Sequence, residues 1–237
     1  MVPYFCKKIE IMTKNCCIVV AGGNGSRMGT ELPKQFLSIG GIPVLMHTIR
    51  NLYNFDQTLQ LILVLPSNEI LNWNKLCRQF NFEIQHQLIA GGDTRFQSVK
   101  NGLSLATDCE LIAVHDGVRP LVSHETLARC FRCAADYGAA IPVLPANESV
   151  REGYMSRSIP VDRSRYFLVQ TPQVFKASIL KESYNQTWTT EFTDDASVVE
   201  SAAISVRMVL GNRENIKITF PEDLQIAELF LKRASES

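Results

Sequence analysis

Short apolar runs alternate with amphipathic stretches along this chain, the pattern of a mostly parallel sheet covered by helices. Runs at 16–21, 59–65, 84–88, 111–115, 139–144, 205–210 and 215–219 predict strands. The stretch Leu59–Leu65 is almost continuously apolar, as a strand buried on both faces requires. Leu45, Ile49 and Leu52 follow Pro43 at helical spacing, and the proline suits a first turn. Ser123 is the N-cap candidate for a helix over 124–137. Near the end, Thr219 and Glu222 read as a capping box for a helix carrying Leu224, Ala227 and Leu231 on one face. One region breaks the rhythm. From about Pro145 to Tyr166 the chain is polar, rich in Arg and Ser, and has no helical stripe. A structureless loop that long is uncommon inside a compact domain, and Ser156–Asp162 alternates like a strand. The expectation is a protruding hairpin arm over 145–166.

The 237 residues, 46% of them hydrophobic, suit one large α/β domain over 16–237 better than two. Residues 1–15 are expected to form an N-terminal extension, of which 1–11 would be dispensable, with Met12 as an alternative start. Lys+Arg and Asp+Glu both total 24, so the formal net charge is zero and no global field attracts nucleic acid or an anionic membrane. An anionic substrate must therefore meet a local concentration of cations. No apolar run reaches the roughly 18 residues of a membrane span, and residues 1–15 lack the apolar core of a signal peptide. The seven cysteines, an odd count without a secretion signal, point to reduced thiols and a cytoplasmic location. Cys130 and Cys133 have metal-like spacing but no second pair, and in a predicted helix they read as packing residues. With the histidines scattered, zinc is not expected.

The chemistry starts where the first strand runs into Ala21-Gly-Gly-Asn-Gly-Ser-Arg-Met-Gly29, followed by Pro33-Lys-Gln35. Glycines let backbone N–H groups approach a polyanion, and Arg27 and Lys34 add charge to the same phosphates. This is not a P-loop, because no Lys follows the glycines directly. Nor is it a dinucleotide fingerprint: Gly23, Gly25 and Gly29 leave one residue too many, and no acidic residue closes the run at 59–65. Further clusters fall at the carboxyl ends of later strands, where open α/β sheets bind ligands. They are Gly91-Gly-Asp-Thr-Arg95 with Ser98, His115-Asp-Gly-Val-Arg-Pro120, Gln170-Thr-Pro-Gln173, Thr193-Asp-Asp-Ala-Ser197 and Asn215-Ile-Lys-Ile-Thr219.

Together with Val161-Asp-Arg163, these segments resemble the 2-C-methyl-D-erythritol 4-phosphate cytidylyltransferase family of the non-mevalonate isoprenoid pathway, from about residue 16 to residue 232. The resemblance implies a Rossmann-like nucleotidyltransferase domain, a mostly parallel twisted sheet flanked by helices with a protruding β-arm. It implies that CTP and methylerythritol phosphate are the substrates and that Mg²⁺ assists. Ala21, Gly22, Gly23, Gly91, Gly92, Asp93 and Ser98 would surround the cytidine. Gly25 and its neighbours would wrap the triphosphate, while Arg27 and Lys34 would stabilise the α-phosphate. Asp116 would face Mg²⁺ or a substrate hydroxyl. Arg119, Thr171 and Lys217 would hold the acceptor phosphate, joined by Ser149 and Arg163 reaching from the 145–166 arm of a partner subunit in a homodimer. No nucleic acid or membrane partner is expected.

The sequence departs from the family pattern at Val20, where proline is common, at Ser149, where threonine is usual, and at Phe220, often arginine. Ser149 keeps the hydroxyl, whereas Phe220 removes a cation beside Lys217. Ribitol-5-phosphate cytidylyltransferases share the glycine loop and Pro-Lys-Gln, but Thr193–Glu200 and Asn215–Thr219 favour the methylerythritol enzyme. A nucleotide-binding module without turnover is the alternative from another class, and the intact cations speak against it.

Overall fold

The computed structural model describes residues 14–22 and 32–235. The expected extension as far as Thr13, and loop residues 23–31 with Gly23, Gly25 and Arg27, lie outside the described residues. The first half of the chain runs β1 (Lys14–Val20), β2 (Ser38–Ile39), β3 (Ile42–Pro43), α1 (Val44–Phe55), β4 (Gln60–Leu65), α2 (Ile70–Gln79), β5 (Gln87–Ala90), α3 (Arg95–Leu103) and β6 (Cys109–Asp116). It continues through α4 (His124–Tyr137), β7 (Ala139–Pro145), β8 (Arg151–Tyr154), β9 (Arg157–Pro160), β10 (Phe167–Val169), β11 (Gln173–Lys176), α5 (Ala177–Ser183), α6 (Asp195–Glu200), β12 (Arg207–Leu210) and α7 (Pro221–Ser235). Because β1 begins at Lys14, that residue and Asn15 belong to the sheet and not to an extension.

β1 lies in the middle of the main sheet, parallel to β4 on one side and to β6 on the other, and β4 continues to β5. Strand order therefore reverses between β1 and β6, the switch point at which open α/β sheets leave a crevice beyond their carboxyl ends. Beyond β6 comes β11, antiparallel to both β6 and β7. β10 precedes it along the same side of β7, and β12 runs parallel to β7 on the other. Val169 pairs with Val143 and Val174 with Ala140, so residues 170–173 oppose only residues 141–142 of β7. The excess makes a bulge at Gln170–Pro172, a device that re-aims side chains beside sites.

Alternation along the strands divides the core. Cys17 and Val19 of β1 join Leu61, Leu63 and Leu65 under α1, α2 and α4, where Leu52, Trp73 and Leu127 are fully buried. Cys16 and Ile18 face the opposite way, with Ile62, Val64 and Val114, under Phe96, Val99, Leu180 and Val199 of α3, α5 and α6. Cys130 is a core residue on the first face, as its helical position led us to expect. Ser123 caps α4 by accepting from the Thr126 N–H at 3.1 Å. Among the described residues no helix is long and apolar enough to cross a membrane.

Three expectations need correction. The strand expected at 84–88 is β5 at 87–90, because His86 is pinned elsewhere. Its Nε2 accepts from Trp73 Nε1 at 2.9 Å, and its Nδ1 bonds the Ile84 carbonyl. Residues 215–219 form no strand, since Ile218 N–H donates to the Val118 loop carbonyl and Asn215 is tied to Gln170 and Thr171. The last helix is capped by Asp223 and not by Thr219 with Glu222. With Pro221 at its first position, Asp223 Oδ2 reaches back to the Thr219 and Phe220 N–H groups at 2.7 and 2.8 Å. Residues 151–160, inside the stretch expected as an arm, form an antiparallel β8–β9 pair in which no residue is buried.

α3 crosses the sheet closely because Gly102 faces it. A Cβ there would stand 2.7 Å from Ile18 Cγ2 and 3.2 Å from Val64 Cγ2. Gly102→Val should therefore cost about 1–3 kcal/mol, the usual penalty for overpacking a core. Urea unfolding checks this, and an unchanged midpoint would mean that α3 stands farther off the sheet.

Candidate active site

The carboxyl ends of β1 and β6 open into a cleft of about 220 Å³ lined by Ala21, Gly22, Lys34, Gln35, Gly92, Asp93, Arg95, Ser98, Asp116 and Lys217. A second hollow adjoins it, sharing Gly22, Gly92, Asp93 and Ser98 and adding Gly91 and Pro66. Pro33-Lys-Gln-Phe36 is drawn to the cleft by two anchors. Phe36 is buried beside Trp73, ring centroids 6.2 Å apart, and Gln35 Nε2 donates to the Ala21 carbonyl at 2.9 Å. Lys34 sits in that short turn and takes its place on the wall.

Opposite, the turn into α3 is folded tightly on itself. Thr94 caps the helix at the Gln97 N–H, and Ser98 Oγ accepts from the Gly92 N–H at 3.1 Å. A Cβ on Gly91 would lie 2.8 Å from that hydroxyl, so the close approach needs glycine there.

Asp116, at the last position of β6, is the most constrained charge. Its Oδ2 accepts from Lys217 Nζ at 3.0 Å and Arg119 Nε at 3.2 Å. Burial opposes its ionisation, yet Lys217, Arg95 and Arg119 hold the carboxyl well below the usual carboxylate range. Arg119 is fixed in turn, its Nη1 donating to the Asn215 carbonyl at 2.7 Å. Behind this cluster the Asp116 N–H donates to Thr171 Oγ1 at 3.0 Å, while that hydroxyl lies 2.9 Å from His115 Nδ1. The Arg119 carbonyl facing Nε2 can only accept, so Nδ1 is the acceptor and takes the Thr171 hydroxyl proton. His115 therefore carries its hydrogen on Nε2 and donates to the Arg119 carbonyl at 3.0 Å. Burial pushes this imidazole down to about 4, so it is neutral at pH 7 and has no lone pair to spare.

The cleft thus brings together Lys34, Lys217, Asp116, Ala21, Gly22, Gly92, Asp93 and Ser98 of the expected residues, with Gly91 in the adjoining hollow. Arg119 and Thr171 lie behind it, and the Thr171 hydroxyl is spent on Asp116 and His115. Ser149 and Arg163 are exposed and line neither hollow of this chain; Arg163 donates to the Asn147 carbonyl. Gly23, Gly25 and Arg27 are outside the described residues. The motifs containing Arg95, Gln35, His115 and Asn215 give these four no role, and Arg95 and Asn215 bond partners distant in sequence. The arrangement suits a polyanion held between cations. Among the described residues it offers no activated hydroxyl or thiol, and the buried histidine cannot act as a base.

Against known proteins, residues 15–233 match the family model described as 2-C-methyl-D-erythritol 4-phosphate cytidylyltransferase. A relative of that name from Bacteroides fragilis is 53% identical over 214 residues, covering 90% of this chain and 98% of the relative. Another, from Phocaeicola vulgatus, is 51% identical with the same coverage. Among solved structures, the 4-diphosphocytidyl-2C-methyl-D-erythritol synthase of Anaerococcus prevotii superposes with a TM-score of 0.79 at 25% identity, over 93% of this chain and 97% of that one. The 2-C-methyl-D-erythritol 4-phosphate cytidylyltransferase of Thermus thermophilus gives 0.75 at 29%, over 92% and 98%.

The buried His115 makes stability depend on pH. Between about 4 and 6.5 the unfolded chain takes up a proton there that the folded chain refuses, so stability rises with pH across this window. The stability present above 6.5 is lost as pH falls toward 4, to an extent on the order of 3 kcal/mol at about 1.4 kcal/mol per unit. His47 and His86, also lowered by burial, add in the same direction. NMR titration of the His115 ring should find a midpoint near 4, and a midpoint near 6.5 would refute the sealed triad with Thr171 and Asp116.

Proposed function

The chain belongs to the 2-C-methyl-D-erythritol 4-phosphate cytidylyltransferase family, and on that premise we propose that it transfers the cytidylyl group of CTP to 2-C-methyl-D-erythritol 4-phosphate and releases pyrophosphate. What carries this reading is the meeting of Lys34, Asp116 and Lys217, from three separate segments of the chain, at the open ends of β1 and β6. On it, Ala21, Gly22, Gly91, Gly92, Asp93 and Ser98 surround the cytidine, and Lys34 neutralises the α-phosphate with Arg27. Lys217, flanked by Arg119 and Asp116, receives the methylerythritol phosphate. Thr171 orients Asp116 from behind instead of touching the substrate.

The acceptor phosphate attacks the α-phosphorus in line. The new P–O bond forms as the bond to the β-phosphate oxygen breaks, and pyrophosphate carries away the displaced electron pair. A phosphate is already a nucleophile at neutral pH, so the reaction needs no general base. Bringing two such anions together is the obstacle. Two unit charges about 4 Å apart repel by roughly 4 kcal/mol at an effective dielectric near 20, or about three powers of ten in rate. The protein's contribution is therefore positioning and charge.

Magnesium fits this site as an ion carried largely by substrate oxygens. Among the described residues no three acidic, imidazole or thiol groups gather at one point. Asp116, with Oδ2 committed to two cations, is the residue that would offer a further carboxylate oxygen. Bound there, the ion would offset charge on the triphosphate.

A homodimer completes the proposal. β8–β9 has no core of its own, and an isolated two-stranded hairpin is marginal in water. It presents Tyr154, Met155 and Ile159, while β10 presents Leu168 and β12 presents Met208 and Leu210, all exposed. A second copy would cover these side chains and bring Ser149 and Arg163 to the acceptor end of the neighbouring cleft. The odd thiol count fits a reducing cytoplasm.

Pyrophosphate release measured with CTP, other nucleoside triphosphates, methylerythritol phosphate and ribitol 5-phosphate tests the assignment. Turnover is expected for CTP with methylerythritol phosphate, and preference for the ribitol compound would reassign the enzyme. Lys34→Ala should lower kcat by about 10²–10³-fold, the loss seen when one transition-state donor is removed. Sedimentation should find a dimer that Ile159→Asp dissociates, and Arg163→Ala should raise KM for the acceptor while leaving CTP binding intact. A monomeric, fully active wild type would overturn the role of the hairpin.

A further inference from the structure

Arg95 lines the cleft with Asp116, whose ionisation its charge favours. It stands at the first position of α3 and meets Asp195, the first residue of α6, in a two-pronged ion pair: Nη1 to Oδ1 at 2.9 Å and Nη2 to Oδ2. Asp195 is fully buried, and its Oδ1 also accepts the Tyr184 phenol at 2.7 Å. Burial and the adjacent carboxylate push that phenol well above its ordinary range, so it remains a donor. Phe96, the neighbour of Arg95, stacks on the Tyr184 ring with centroids 4.6 Å apart. The fork is thus fixed at both ends, yet the Arg95 side chain keeps 30% of its surface exposed.

A buried ion pair of this kind is a poor source of net stability, because desolvation offsets the attraction. What it does supply is orientation of a planar donor set. Of the five guanidinium N–H groups the fork uses two, leaving three for an occupant of the cleft. Arg95 belongs to the nucleotide wall with Gly92, Asp93 and Ser98, and it lines the same cleft as Asp116 and Lys217 of the acceptor wall. Its charge reaches Asp116, whose ionisation it favours.

We propose that Arg95 is a substrate-contacting donor to a phosphate oxygen at the junction of the two substrates, and that Asp195 and Tyr184 are positioning residues acting through it. The proposal rests on the cytidylyltransferase reading. Without the fork the guanidinium gains rotamers, and binding must then order it again.

The test is pyrophosphate release by full-length enzyme with CTP and methylerythritol phosphate. The variants are Arg95→Ala, Arg95→Lys, Asp195→Asn, Tyr184→Phe and the double variant Arg95→Ala with Asp195→Asn, each assayed below its unfolding temperature. Arg95→Ala and Asp195→Asn should each lower kcat/KM by about 10–100-fold, the scale for losing a charged hydrogen bond. The double variant should be no slower than Arg95→Ala alone. Arg95→Lys, which keeps charge but not the fork, should stay impaired. Multiplicative losses in the double variant, rescue by lysine, or kcat/KM unchanged in folded Arg95→Ala would overturn the proposal. If Asp195→Asn fails to fold, Tyr184→Phe combined with Arg95→Ala provides the same comparison. An inactive wild type would sink the functional reading instead, which keeps the two failures distinct.

Discussion

The charge at the end of β6 organises everything around it. Asp116 must stay ionised while almost enclosed, and removing a carboxylate from water is costly unless its partners are fixed. Two of the elements around it are held by something else. Arg119 is anchored on the Asn215 carbonyl, and the strand end itself is pinned by the Thr171 hydroxyl, which is held in turn by His115. The carboxylate, the two cations and the buried imidazole form a continuous polar unit. Its loosening at one point would leave unpaired groups at the others, and that mutual dependence makes the rim rigid.

The sheet explains why the unit sits where it does. β1 and β6 are adjacent and parallel, so their carboxyl ends present Val20 and Asp116 side by side at the switch point, with Ala21 one residue beyond. The bulge between β10 and β11 interrupts pairing with β7 just where β11 meets β6. Regular pairing would leave Thr171 in the ladder. The two extra residues turn its hydroxyl toward the Asp116 N–H, and they turn Gln170 Nε2 toward the Asn212 and Asn215 carbonyls. A local fault in one strand is thus what couples the last third of the chain to the cleft.

How much of this was legible beforehand follows from the range of each interaction. The N-cap at Ser123 and the buried runs of β1, β4, β6 and β7 depend on neighbours a few residues away, and the pattern located them. β10 and β11 were missed because the polar Gln170–Pro172 stretch splits their apolar run, and those polar residues serve distant loops. The cap of α7 moved by one residue because Pro221 takes the first helical position and leaves the carboxylate at Asp223 to reach back. Lys34, Asp116 and Lys217 stood out as motif residues. The fork between Arg95 and Asp195 spans a hundred residues, and no local signal announces it. Most of the glycine loop, residues 23–31, lies outside the described residues.

Counting charge around the cleft suggests why the remaining cations matter. Arg95, Arg119 and Lys217 share the carboxylates of Asp195 and Asp116, so these three cations leave a surplus of one positive charge. Two phosphate-bearing substrates bring several negative charges into the same space, and the attack requires them to touch. A frame balanced this closely holds its shape without substrate, because like charges are not left facing one another. Such a frame cannot by itself cancel the charge of the reaction. On the proposed reading the deficit would be met by groups that come with the substrates or from a second copy, Arg163 of that copy among them. Stability of the empty site and reactivity of the filled one therefore ask for different cations, and the paired set serves the first need.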